Sequence, residues 1–278
     1  MSTTTVAVEA AEAAAAAAPV EPVRSRPVPR PIPMSRVVGI ELRKMFDTRS
    51  GFWLMASVAI LAVLATGAVI LFAPDSDLDY ETFAAAIGFP MAVILPMIAI
   101  LSVTSEWSQR TGLTTFTLVP HRERVIGAKL IVSVGIGVVS MFLAGAIGAL
   151  GNILGTAVTG TDTVWNLSVT EFAYIILANV LGMLIGFMLG VLIRNSPGAI
   201  VGYFVYSLLL PTLTTLLAAT QEWFADAQGW VDFNFAQGGL FEGDMSGDAW
   251  AQLATSGTFW LVIPLAVGLA LVMRSEVK

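Results

Sequence analysis

Residues 172–193 read FAYIILANVLGMLIGFMLGVLI, 22 residues without one Asp, Glu, Lys, Arg or His, closed by Arg194. A helix of about 20 apolar residues crosses the hydrocarbon core of a bilayer, so this run predicts a transmembrane helix. Five more runs of the same kind flank it, at 52–73, 83–103, 130–155, 198–218 and 257–273. The last is the shortest, at the lower limit for a span. None of the six contains an ionisable Asp, Glu, Lys, Arg or His. A membrane β-barrel would instead show segments of about ten residues with alternating polarity, and no such pattern occurs. Composition agrees: the 278 residues are 56% hydrophobic and 12% charged, with a mean hydropathy of +0.80, against about 25% charged in soluble domains. The expected fold class is an all-α integral membrane protein with six transmembrane helices.

Charge sets the expected orientation. With these spans, one side holds residues 1–51, 104–129, 194–197 and 274–278, and all 14 Lys and Arg lie there. The other side, 74–82, 156–171 and 219–256, has no Lys or Arg and carries 12 of the 20 acids. The net charge of -6 is therefore not the sign of a basic partner, because the two signs occupy different segments. Lys and Arg favour the cytoplasmic side, which predicts both termini inside (N-in/C-in) and a multi-pass protein of the plasma membrane.

The flanking segments differ in kind. Residues 1–33 form an Ala/Pro-rich tail, with an alanine run from Ala10 to Ala18 and a Pro/Arg stretch from Pro19 to Pro33. Such composition buries too little apolar surface to offset ordering entropy, so a disordered cytoplasmic tail is expected. Residues 34–50 place Met34, Val38, Leu42 and Met45 on one face at helical spacing, with Phe46 at its edge and Arg36, Arg43, Lys44 and Asp47 opposite. This predicts an amphipathic interface helix on the membrane surface, the alternative being a soluble stub before the first span. Residues 274–278 are a short cytoplasmic C-terminus.

The contents of the spans exclude several functions. Ion-coupled carriers and proton pumps bind and relay ions through intramembrane ionisable groups, which these spans lack. The chain has no cysteine and one histidine, His121, so thiolate chemistry and a histidine metal cluster are excluded, and no cofactor is expected. Gly182, Gly186 and Gly190, four residues apart, make a flat stripe for close helix packing, first within the chain and otherwise between subunits. Pro90, Pro96, Pro211 and Pro264 interrupt their spans and predict kinks. Asn152, Asn179, Thr212, Thr214 and Thr215 read as interhelical hydrogen-bonding groups or as the lining of a polar path.

The loop between the second and third spans holds the most specific pattern. It runs Glu106-Trp107-Ser108-Gln109-Arg110-Thr111-Gly112, then Leu118-Val119-Pro120-His121-Arg122-Glu123-Arg124, then Lys129. It mixes both charge signs with apolar residues, as a docking element does, and is too short for a catalytic domain. Glu106 stands where a carboxylate can pair with a basic group on the N-terminal helix or the third span. The bland alternative is a solvated loop that is basic only because it faces inward.

In that order and spacing Glu106, Thr111-Gly112, Leu118, Pro120, Arg122, Arg124 and Lys129 resemble the loop of the type 2 family of ABC exporter permeases, with Thr-Gly in place of the commoner Gly-Thr. Glu41-Leu42-Arg43-Lys44-Met45, followed by Thr48-Arg49 and Trp53, is similar to the interface helix that enters that family's first span. The resemblance covers about residues 35–278. It implies a permease subunit that pairs with a second copy or a related permease as a dimer and is driven by separate cytoplasmic ABC ATPase subunits. Glu106, Arg110, Arg122 and Arg124 are the expected ATPase-coupling residues, and Glu41, Arg43 and Lys44 the expected interface-helix residues. It also implies short re-entrant helices within 219–256, where a simple interfacial loop is the alternative.

The expected function is thus export of a hydrophobic or amphiphilic substrate, with ATP used by the partner subunit. None of the three lysines follows a glycine, so the chain lacks the Gly-Lys pair of a P-loop and is not expected to be an enzyme. The expected partners are the ATPase, the second permease and the lipid bilayer, with no nucleic acid. A non-transporting membrane scaffold is the alternative, and a membrane-embedded enzyme is a third reading that the absence of clustered catalytic residues disfavours.

Overall fold

Each of the six apolar runs folds as a helix, and four of the six helices outrun their apolar stretch by several residues. The computed structural model describes residues 32–108 and 122–274, and every element below lies in the unit that begins at Pro33. Residues 1–31 of the expected tail over 1–33, nearly all of the C-terminus and the loop residues 109–121, Arg110 among them, fall outside the described residues. Helix α1 is Met34–Asp47, α2 Arg49–Phe72, α3 Tyr80–Ser108, α4 Arg122–Thr159, α5 Val169–Ile193 and α6 Ser196–Thr220. Two short helices follow, α7 (Glu222–Val231) and α8 (Phe233–Glu242), before α9 at Gly247–Arg274. Among the described residues there is no strand.

Helices α2, α3, α4, α5, α6 and α9 are long and apolar enough to cross a membrane. The sixth, expected at 257–273, is 28 residues long because Ser246 caps a polar first turn that the apolar run does not include. Likewise α3 continues to Ser108 and α4 starts at Arg122. The expected loop 104–129 is therefore helical at both ends, and Glu106 and Lys129 belong to helices. Apolar runs mark the part of a helix that meets hydrocarbon, while backbone bonding continues past it.

Helix α3 is the centre, packed on α2, α4, α5 and α6. Met91, Leu95, Met183, Phe187 and Val191 form the heart of the core it shares with its neighbours. The glycine stripe of α5 works inside the chain. A Cβ at Gly186 would lie 2.7 Å from the Pro96 carbonyl oxygen, and one at Gly190 would lie 3.3 Å from the Val103 Cβ. Gly182 is looser, with the Tyr203 hydroxyl 3.9 Å away.

Three of the four span prolines, Pro96, Pro211 and Pro264, are accommodated locally. Pro96 has no N–H for the Ala92 carbonyl, four residues earlier. Tyr203 of α6 donates its hydroxyl to that oxygen at 2.7 Å. Pro211 and Pro264 each follow a π-helical turn, Val205–Leu209 and Thr258–Val262, the local adjustment that lets proline sit in a spanning helix. Asn234 of α8 donates to the Tyr206 carbonyl at 3.1 Å within the first of them. Tyr203→Phe is expected to cost about 1–3 kcal/mol by leaving a buried carbonyl unpaired. In a Pro96→Ala background the restored N–H should shrink that cost, which thermal unfolding of the four proteins in detergent will measure.

At the acidic end, residues 222–242 form two helices rather than a simple loop. Asp232 is buried between them. It accepts from the N–H groups of Asn234 and Phe235 and from the Thr214 hydroxyl at 2.6 Å, fastening α8 to α6. Trp260 donates to the Val231 carbonyl at 2.7 Å and fastens α7 to α9.

Candidate functional site

The basic end of the bundle holds a cluster of charges taken from three helices. Helix α1 turns Val37 and Glu41, one turn apart, toward the bundle. Of the apolar face, Leu42 and Phe46 are exposed and Val38 and Met45 pack on the bundle, while the carboxylate of Glu41 is inside. The physical reason is that Glu41 has partners there. Its Oε1 accepts from Lys44 at 2.7 Å and its Oε2 from Lys129 at 2.6 Å. Glu106 Oε1 lies 3.0 Å from Lys44 Nζ and 3.1 Å from Lys129 Nζ. Among the described residues, two carboxylates and two ammoniums thus form a neutral knot between α1, α3 and α4.

Its members differ in exposure. Glu41, Glu106 and Lys129 are 5%, 3% and 4% exposed, while the Lys44 side chain keeps 42%. Removing charges from water costs several kcal/mol each, recovered only when geometry and hydrogen bonding are complete. Lys129 meets that condition, because its third donor goes to the Ser102 carbonyl at 2.9 Å, and the Ser102 and Ser133 hydroxyls sit 3.2 Å apart alongside. For Lys44, burial works against the charge, but hydrogen bonds and the negative charges of Glu41 and Glu106 outweigh it and raise its pKa above the ordinary lysine value. Its contribution to stability is present through the physiological range and is lost only as pH rises through that raised value.

The elbow between α1 and α2 is equally constrained. Thr48 ends α1 and caps α2, its hydroxyl oxygen accepting from Gly51 N–H at 3.1 Å. A Cβ at Gly51 would run into the Met45 carbonyl oxygen, so only glycine lets the chain turn there.

The expected site residues are therefore distributed as follows. Glu41, Lys44 and Glu106 meet, and the pairing expected of Glu106 is present with both the N-terminal helix and the third span. Lys129, a single lysine directly before an apolar run, is the fourth member. Arg122 points elsewhere: its Nη1 donates to the Val272 carbonyl at 3.0 Å, tying the start of α4 to the end of α9. Arg124 is half-buried on the first turn of α4, and Arg43 is exposed on α1. Arg110 lies outside the described residues. Ser102 and Ser133 had no signal in the sequence, because serine is common in spans and only the fold brings them to Lys129.

No family model matches this chain, and no curated protein matches it.

Proposed function

We propose that this chain is the membrane-spanning permease subunit of an ATP-driven exporter, pairing with a second permease and moving a hydrophobic or amphiphilic substrate while separate ATPase subunits hydrolyse ATP in the cytoplasm. The observation that carries the reading is the charge knot. The motif residues that resemble the type 2 exporter permeases, Glu41, Lys44, Glu106 and Lys129, come from three segments of sequence and meet within 3.1 Å at one end of the bundle. A transport subunit without its own ATPase needs a stiff element to receive motion from its partner. Here α1 is locked to α3 and α4 on either side of the 109–121 loop, so force on that loop or on α1 is passed to both helices together. Six helices long enough to cross a membrane provide the path.

The basic end faces the cytoplasm in this reading. The chain has no cysteine, so Arg43→Cys and Asp162→Cys, both at exposed positions, can be labelled with an impermeant maleimide in intact cells. Asp162→Cys is expected to react and Arg43→Cys to react only after lysis. The opposite pattern overturns the orientation.

The function is tested by co-expression with the ABC ATPase encoded nearest to it. The complex is expected to co-purify, and ATP hydrolysis in liposomes to change on adding the permease. A well-folded chain that retains no ATPase, and hydrolysis indifferent to it, would favour the scaffold reading.

A further inference from the structure

Beside the charge knot the helices leave a cavity of about 430 Å³, within the range of small-molecule sites. Its walls change character with depth. Along α3 the lining runs from Ile98 and Leu101 to Ser105 and Ser108, and along α2 from Ser50 to Leu54. The serines, with Ser196, thus gather at one end, the mouth, and the apolar residues lie one or more turns farther along both helices, at the floor. Ile98 to Ser108 is ten residues of helix, so the pocket reaches about 15 Å along α3. The mouth is level with the start of α2 and the end of α3. There Phe52 and Trp53 are exposed, Trp53 at 64%, as are Arg43 and Arg49. Exposed aromatics with Lys and Arg at a helix end mark the headgroup layer of a bilayer.

The polar groups at the mouth have a definite donor and acceptor state. Two of the three Lys44 donors go to Glu41 and Glu106, and among the described residues the third has no acceptor. The Ser105 hydroxyl donates to the Ser102 carbonyl at 3.1 Å and that of Ser108 to the Ser105 carbonyl at 3.4 Å. Thr104 donates to the Ile100 carbonyl, so in its 2.7 Å contact with Ser196 Ser196 is the donor. The serine protons are thus used, which leaves the oxygens of these cavity-lining residues as acceptors. A matching ligand supplies an anionic acceptor for Lys44, hydrogen-bond donors for the serines, and an apolar tail for the floor.

We propose that this cavity binds one phospholipid whose headgroup carries both a phosphate and hydrogen-bond donors, of the ethanolamine or glycerol class. The phosphate lies against Lys44, the headgroup donors meet Ser105, Ser108 and Ser196, and an acyl chain runs down between α2 and α3. A choline headgroup donates nothing and leaves the serine oxygens unmatched. The site goes beyond the exporter reading and stands whether or not the chain transports anything.

The full-length chain, purified in detergent and stripped of lipid, is titrated with palmitoyl-oleoyl phosphatidylethanolamine, phosphatidylglycerol or phosphatidylcholine and read by native mass spectrometry. One ethanolamine or glycerol lipid is expected to bind at least about tenfold more tightly than the choline lipid, the difference of one good hydrogen bond to a charged or well-placed group. Ser105→Phe, which fills the mouth, should abolish that preference. Ser105→Ala with Ser108→Ala, a milder change that leaves the packing intact, should reduce it severalfold. Equal binding of all three lipids, or a preference untouched in the double alanine variant, overturns the proposal. So does equally tight binding of glycerophosphoethanolamine, which has the headgroup without tails and would identify a soluble ligand instead.

Discussion

Lys129→Met is expected to destabilise the folded chain by about 3–5 kcal/mol, the usual cost of stranding a buried charge. The substitution keeps the length of the side chain and removes its ammonium. Glu41 and Glu106, both buried, then lose that ammonium and keep Lys44, which is partly in water. Two carboxylates that have lost a shared ammonium in a poorly hydrated site repel each other. Glu41→Leu combined with Lys129→Met removes one charge of each sign and leaves the Lys44–Glu106 pair. The double variant should therefore be more stable than Lys129→Met alone, even though it changes more. Thermal unfolding followed by size-exclusion in detergent gives the ranking. A double variant less stable than the single one would mean that the knot is held by packing rather than by charge balance.

The second large effect is at Gly186. A Cβ there meets the carbonyl oxygen of Pro96 at 2.7 Å, its Cβ at 2.9 Å and its Cα at 3.0 Å. None of these atoms can rotate away, because they belong to the backbone and to a proline ring. Gly186→Ala is therefore expected to push α5 off α3 and cost about 1–3 kcal/mol, the range for overpacking a close-packed interior. Gly182→Ala, with its nearest neighbour 3.9 Å away at the end of a tyrosine, should change stability by less than about 0.5 kcal/mol. The comparison also separates the two readings of the stripe. If it served a subunit contact, both alanines would weaken association between chains and leave the unfolding temperature of the single chain unchanged.

The six spanning helices were legible because apolar runs of the right length have few other uses. Their ends were not, since Glu106 and Lys129 lie in turns that hydropathy assigns to a loop. The inward position of Glu41 was also hidden: helical periodicity grouped Leu42 in an apolar face for the membrane surface and said nothing of Glu41, whose carboxylate is drawn inside by Lys129, 88 residues later. The pairing of Glu106 could be anticipated from its place at a helix end near two basic segments. The Tyr203 bond to Ala92 could not, because periodicity names the carbonyl that proline leaves vacant but not the side chain that fills it. The two short helices before α9 were reachable only through family resemblance, their aromatic and acidic composition being equally suited to a loop.

The charge knot also bears on the order in which the protein is made. The ribosome delivers Glu41 and Lys44 first, then Glu106, and Lys129 only after the second span is complete. Until Lys129 emerges, Glu41 lacks one of its two ammonium partners and α1 lacks α4, a helix it packs against. The N-terminal helix is therefore expected to lock down only when the third span arrives. A chain truncated between residues 108 and 129 should therefore remain with α1 open to protease, whereas one extended past α4 should protect it.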